Sequence, residues 1–279
     1  MSLSFQTNVT SLVAENNLQV NSNFQAQTIT RLTSGFRINS SGDDAAGLAV
    51  ANGFRSTVAE LQQGVRNAND GQSILQTIDG GLNNISNILD RLKTLATQSA
   101  SGTFSGDRNT LNQEFSTLLG EINRQAANIG LASGTGQASV YNTSIAVYIG
   151  GGDTQTDSQV NVNLSGSANT VDSLGLGISN DDVTSASDAQ TAITHLESAV
   201  KSLGLVQGAV GAGENALSYA VSLAQSQITN DSAAESRIRD ADIATEAANL
   251  TKSQVLAQSS VAALAQANSA PQALLKLLG

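Results

Sequence analysis

The sequence predicts a mainly α-helical chain, a long antiparallel helical rod or coiled-coil bundle with a small β-hairpin region in the middle of the chain. Three observations predict it. Apolar residues recur at heptad spacing over long stretches. The period shortens to two in one central segment. Large side chains are scarce, with no Trp, three Tyr and six Phe. Ala, Leu, Ile and Val must therefore fill the interior, which suits close helix–helix packing.

The longest seam runs Phe54, Leu61, Ala68, Leu75, Leu82, Leu89, Ala96, one apolar residue every seventh position. Ile78, Ile85 and Leu92 add a second series, so spacing alternates three and four. Asp43 and Asp44 precede this run and are placed to cap it, where carboxylates also favour the helix dipole. A helix from about residue 44 to 99 extends roughly 85 Å at the α-helical rise. After the break Ser101-Gly102-Thr103-Phe104-Ser105-Gly106, a second helix carries Leu111, Phe115, Leu118, Ile122 and Ile129. A third, over about 186–230, has the seam Ile193, Leu196, Val200, Leu203, Gln207, Val210, Glu214, Leu217, Val221, Ala224, Ile228. Three such stripes bury one another.

Between the second and third helices lie Ser144–Ile149 and Gln159–Leu164, short β-type runs around a Gly150-Gly151-Gly152 turn. They predict a hairpin. Residues 165–185 are rich in Ser, Gly, Asn and Asp and predict a loop with little regular structure.

The two ends are helix-like but poorly provided with large side chains. Residues 1–35 carry Phe5, Val9, Leu12, Leu18, Phe24, Ile29 and Leu32. The C-terminal seam is Ile243, Ala247, Leu250, Gln254, Ala257, Val261, Leu264, Asn268, then Pro271, Leu275 and Leu278. Neither stripe has a neighbour in sequence to cover it. If the ends pair as antiparallel helices, apolar surface is still left over. Such a pair is expected to be disordered in an isolated chain and to fold when other copies cover it.

Charge narrows the partners. Charged residues make up 13% of the chain, with net charge −10 and a pI near 4.4. Phosphate backbones are held by Lys and Arg, so nucleic acid is not an expected partner. No Lys or Arg occurs between Arg124 and Lys201, while Asp153, Asp157, Asp172, Asp181, Asp182, Asp188 and Glu197 fall there, predicting a solvated outer region. There is no Cys, hence no disulfide and no thiolate metal site. The first residues lack a basic segment followed by an apolar one, so no Sec signal is read. No run of about 18 apolar residues exists, so no membrane insertion is expected.

Catalytic signals are weak. The single His195 abuts seam residue Leu196 and has no Ser or Cys elbow to serve, so it is read as a surface helix position. One His cannot form a zinc-binding pair. The Gly clusters at 150–152 and 208–213 match neither phosphate-binding pattern, and the acidic middle lacks a calcium-loop spacing. No enzyme activity, cofactor or metal is expected. One polar cluster is sharper. Glu235-Ser236-Arg237-Ile238-Arg239-Asp240-Ala241-Asp242 sits before the C-terminal seam, and Arg37 to Asp44 sits in the mirrored place after the N-terminal helix. Antiparallel ends bring Arg237 and Arg239 near Asp43 and Asp44, with Arg37 and Asp240 in the same joint. Exposed pairs of this kind are worth ~0–1 kcal/mol each and set geometry more than stability.

Two long blocks carry a family resemblance. RLTSGFRINSSGDDAAGLAVANGFRS (31–56) resembles the N-terminal signature of bacterial flagellins. AAESRIRDADIATEAANLTKSQVLAQSSVAALAQAN (233–268) resembles their C-terminal counterpart. The likeness spans about 1–130 and 186–279, in family order. It implies a structural subunit of the flagellar filament that self-assembles through its N- and C-terminal helices into a helical tube used for motility. It implies terminal helices 1–43 with 235–279 as an inner-core coiled coil. It implies 44–234 as an outer-core helical rod, with hairpin and loop at about 131–185.

The resemblance also implies an extracellular place, reached through flagellar type III export without a cleaved signal peptide. Implied partners are other copies, the export apparatus and its chaperone, and the hook-associated and cap proteins. A patch matching the contact for the Toll-like receptor for flagellin falls at Arg91, Leu95, Gln98 and Glu114, with Thr94 where the family usually has an acidic residue. The usual Phe-Asn-Gly turn after the second helix is replaced by Ile129-Gly130-Leu131-Ala132-Ser133-Gly134. The alternative is a hook–filament junction or other axial flagellar protein, which generally has a larger middle. A flagellin carrying a peptidase insertion requires a His pair that this chain lacks.

Overall fold

The structure is a computed structural model that describes residues 7–134, 137–151, 157–166 and 169–278, with the side chains of Gln137 and of 270–278 left out. Helix α1 spans Val9–Ser34, α2 Ala45–Ala100 and α3 Arg108–Asn128. A short 3-10 turn at Gln137–Ser139 leads to strands β1 (Ser144–Tyr148) and β2 (Gln159–Asn163). Helix α4 spans Ala186–Arg239 and α5 Ile243–Leu278. The fold class is mainly α with one two-stranded antiparallel sheet, as expected. The chain forms two compact units, Met1–Ser56 with Asn230–Gly279, and Thr57–Thr229.

Helix ends follow local chemistry. The Asn8 side chain accepts from the Ser11 N–H and starts α1, and Gly35 ends it at φ +75°, donating to the Arg31 carbonyl. Asp44 starts α2 by accepting from the Gly47 N–H at 2.9 Å. Asp43 does not share that task. Its carboxylate takes the N–H groups of Asn39 and Ser40 and so closes the turn before the helix. Asp107 caps α3 through the Asn109 N–H. Ser185 and Asp188 bond reciprocally at the start of α4, in the manner of a capping box. Asp242 takes the N–H groups of Ala244 and Thr245 at the start of α5.

The core of the second unit is the heptad seam of α2. From Leu61 to Ala96 every member of both series is buried. Full burial of each Leu or Ile contributes about 1.5–3 kcal/mol. Helix α4 runs antiparallel beside it, with Lys93 paired to Glu197 and Asn83 bonded to Gln207. Its seam differs from expectation. Leu196, Leu203, Val210, Leu217 and Ala224 are buried, but their companions are Ala189, Ala192, Ala199, Val206 and Gly213. Ile193, Val200, Gln207, Glu214 and Val221 stand one residue to the side, none of them buried. Small residues win because side chains of the hairpin and of α2 come close. A Cβ at Gly213 would lie 2.6 Å from Val162. On α3 Phe115 and Ile122 are buried as expected, and Leu119 is buried where Leu118 was expected, Leu118 being half-buried.

The hairpin register is Ser144↔Asn163 through Tyr148↔Gln159. Val147 and Val162 face inward and are buried. The hairpin rests on glycines of α2. A Cβ at Gly64 would sit 1.7 Å from the Ile149 carbonyl oxygen, and one at Gly71 2.9 Å from Val147.

The segment expected as loose loop is irregular in backbone but packed. Val171, Leu176, Ile178 and Val183 are buried. Asp172, expected to be solvated, is buried too. It accepts from the Ser133 N–H (3.0 Å), the Ser133 hydroxyl (2.8 Å) and the Gly175 N–H (2.9 Å). A buried carboxylate persists only when donors of this kind replace water. The Asn112 and Asn123 side chains of α3 take the N–H groups of Val183 and Ser173.

Candidate assembly surface on the terminal helix pair

Helices α1 and α5 run antiparallel within the first unit. Asn8 donates to the Ala267 carbonyl, Ser11 to Asn268, Asn21 to Ser260, and Arg31 pairs with Glu246 at 3.4 Å. The inward face of α1 is Ser11, Ala14, Leu18, Asn21, Gln25 and Thr28. That of α5 is Glu246, Leu250, Ser253, Ala257, Ser260, Leu264 and Ala267. These are small or polar residues with few large apolar groups among them.

Several apolar residues of both helices are nevertheless left exposed. Val9, Leu12, Val13, Val20 and Ile29 of α1, with Ile243, Val255 and Val261 of α5, are each between 43% and 61% exposed. Half of the expected C-terminal seam is therefore displaced by one residue. Leu250, Ala257 and Leu264 face α1, but their companions are Glu246, Ser253, Ser260 and Ala267. Ile243, Ala247, Gln254, Val261 and Asn268 are exposed. Of the expected assembly residues, Val9, Leu12, Ile243 and Val261 are exposed, while Leu250 and Leu264 are half-buried. Phe5 lies outside the described residues, as do the side chains of Leu275 and Leu278.

The expected joint exists in another form. Among the described residues, no ion pair links Arg237 or Arg239 with Asp43 or Asp44. Instead two backbones clasp. Phe36 and Asp240 form an antiparallel bridge. The Arg239 carbonyl accepts from the Arg37 N–H at 2.7 Å, and the Gly35 carbonyl from the Ala241 N–H at 2.9 Å. The Arg37 guanidinium reaches the Ile238 carbonyl at 2.7 Å. Arg239 lies 4.2 Å over the Phe36 ring and pairs with Glu235. Asp240 accepts from the Ser236 hydroxyl. Backbone bonding wins because α1 and α4 both end here and leave their last peptide groups unpaired. Gln27 supplies Asp43 with its remaining donor, at 2.9 Å. That amide first, then the Ser40 and Asn39 N–H groups and the Ser40 hydroxyl, hold the Asp43 carboxyl down at about 2. Asp242 is lowered by the Thr245 hydroxyl and by the Thr245 and Ala244 N–H groups.

Sequence reasoning missed Phe36, Gln27, Arg31 and Glu246. Glu246 stands seven residues before Ser253, so a seam search that admitted polar residues finds it.

In the second unit, Arg91 grips one Glu114 oxygen with two nitrogens, at 2.8 and 2.6 Å. Both side chains are exposed, and so is Gln98. Leu95 is buried in the core, because it belongs to the packed face of α2. His195 stands half-exposed on α4, with its Nδ1 2.7 Å from Asp181. Among the described residues no group of His, Asp and Glu is arranged to hold a metal ion, and no helix is long and apolar enough to cross a membrane.

A helical chain that leaves apolar side chains exposed along both terminal helices has the makings of a self-assembling structural subunit. Comparison with known proteins identifies which kind. The bacterial flagellin N-terminal helical region matches residues 5–130, and the bacterial flagellin C-terminal helical region matches 193–278. A flagellin of Halalkalibacterium halodurans is 35% identical, over 97% of this chain and 98% of that protein. A flagellin of Listeria innocua is 36% identical, over 98% of each. The flagellar filament 30.7 kDa core protein of Treponema maltophilum is 35% identical, over 97% of this chain and 98% of that protein. The crystal structure of Bacillus cereus flagellin overlaps 61% of this chain and 94% of that one, at 26% identity and a TM-score of 0.48. The chain belongs to the bacterial flagellin family and is a structural subunit of the flagellar filament.

Proposed function

We propose that the outward apolar faces of α1 and α5 are the surfaces through which copies of this chain polymerise. The observation that carries this reading is the apolar surface that the helix pair leaves exposed. Val9, Leu12, Val13 and Val20 on one helix, and Ile243, Val255 and Val261 on the other, are each more than half exposed, while the seam between the helices is mostly small or polar, with Leu18, Leu250 and Leu264 as its large apolar residues. Covering the exposed half of each such side chain contributes about 1 kcal/mol. Repeated over two helices and over every neighbouring copy, this favours association.

In this reading 1–43 and 235–279 form the inner core of the filament, and 44–234 the outer core, with the hairpin and loop at 131–185. Phe5, Leu275 and Leu278 complete the assembly surface, and Leu250 and Leu264 pack the helix pair that presents it. Arg37, Asp43, Asp44, Arg237, Arg239 and Asp240 form the joint. The chain does no catalysis. It leaves the cell through the flagellar export apparatus with a chaperone, without losing a signal peptide, and meets hook-associated and cap proteins at the filament ends. A Toll-like receptor reading the Arg91, Gln98 and Glu114 face meets a closed ion pair with Leu95 beneath it.

The test replaces Val9, Leu12 and Val13 by Ser in the full chain. The three are exposed, so circular dichroism should show the helical content of the parent. Electron microscopy after salt-induced assembly should show no filaments. Long filaments from this variant would refute the reading. Removing about 30 residues from either end should likewise leave a folded chain that does not polymerise.

A further inference from the structure

The seam between α1 and α5 contains little information about register. Its α5 side repeats every seven residues as Leu250, Ala257, Leu264 and as Ser253, Ser260, Ala267. Sliding α5 by one heptad, about 10 Å, sets Ser253 where Ser260 stood, and Asn21 keeps a hydroxyl partner. The packed residues remain a mixture of Leu and Ala. Yet the outward faces change height with the slide, so a filament subunit needs one alignment.

At the far end a slide loses the exposed Ser11–Asn268 hydrogen bond, by setting Val261 where Asn268 stood; the charged and backbone features that it destroys lie at the near end. Arg31 pairs with Glu246, a residue only 7% exposed. Arg31 Nε and Glu246 Oε2 are left without partners among the described residues. A partly buried pair with unmet atoms is a poor source of stability, but it tolerates few alternatives. Beside it, the Arg37 N–H and guanidinium bind the carbonyls of Arg239 and Ile238.

We infer that Arg31, Glu246 and Arg37 are positioning residues that set the stagger of the terminal helix pair, and that the rest of the seam follows. This deepens the assembly reading above, because alignment decides which outward side chains neighbouring copies meet.

The chain has no Cys, so engineered pairs report cleanly. Asn21→Cys is combined in turn with Ser253→Cys, Ser260→Cys or Ala267→Cys in the full chain, and disulfide formation is scored before and after assembly. In the parent only the 260 pair should form. In the background Arg31→Met, Arg37→Pro, Glu246→Leu, the 260 cross-link should lose its dominance and the 253 cross-link should appear. Helical content should be kept, since apolar replacements restore packing. The conservative background Arg31→Lys, Glu246→Asp should return to the 260 pair alone.

An unlocked background that still forms only the 260 disulfide overturns the inference, because the seam would then align itself. Loss of all three disulfides also overturns it, because the residues would be holding the helices together instead of aligning them. Cross-links read alignment whether or not filaments form, so failure here is distinct from failure of the assembly reading.

Discussion

Arg239 serves Phe36 twice over: its guanidinium lies 4.2 Å above the Phe36 ring, and its carbonyl takes the N–H of the next residue, Arg37. One residue thus binds the segment after α1 by both side chain and backbone.

Phe36→Ala removes the stacking partner and leaves the backbone bonds in place. The expected cost is about 1 kcal/mol, the range for a partly exposed cation–π contact. Heat-induced depolymerisation of filaments, followed by circular dichroism, should move a few degrees lower. An unchanged transition would show that the ring contributes nothing.

Asp43 makes the turn between α1 and α2 acid-sensitive. Its folded pKa, about 2, lies below the usual 3.8. A depressed carboxylate contributes stability above its unfolded pKa, and the contribution is lost as pH falls through the folded value. The window therefore runs from about pH 4 down to about 2. Carbon-detected NMR of the Asp43 carboxyl should give a midpoint near 2. In a Gln27→Ala variant the midpoint should move up, because the largest cause is gone.

Two glycines of α2 should respond oppositely to the same change. Gly64→Ala drives a methyl into the Ile149 carbonyl and must lift the hairpin end, a cost of about 1–3 kcal/mol or more. Gly80 has nothing within 4 Å of a new Cβ, so Gly80→Ala should stabilise by about 0.5–1 kcal/mol through helix propensity. Urea unfolding of the two variants checks both signs.

Adjacent residues of α4 test which stripe is the seam. Val206→Ala should cost about 1–2 kcal/mol, whereas Gln207→Ala should stay within ~0.5 kcal/mol of the parent. Asp172→Ala belongs in the same series. It strands the Ser133 and Gly175 donors and should cost about 1–3 kcal/mol. Equal effects at 206 and 207 would contradict the seam described above.

Much of this was legible from the chain. The α2 seam is legible because its heptad residues from Leu61 to Ala96 are all Leu, Ile or Ala, an unbroken apolar stripe that no other face of the helix matches. The hairpin strands were readable because alternation singles out Val160 and Val162. Asp172 was not, since a buried carboxylate looks like any other acidic loop residue until its three donors fold around it. Nor was the clasp, whose essential groups are backbone amides that every residue carries.

The amino-acid sequence by itself determined where helices run, which family the chain joins, and that apolar stripes exist at both ends. Tertiary structure alone decided which way those stripes face. At 3.6 residues per turn, positions three and four residues beyond a seam residue flank it at about 60° and 40° on opposite sides, so periodicity does not choose between them. The choice falls to how closely the partner approaches. In α4 it selects Gly213 and Val206 over Glu214 and Gln207. In α5 it turns Ser253 and Ser260 inward and leaves Val261 in solvent.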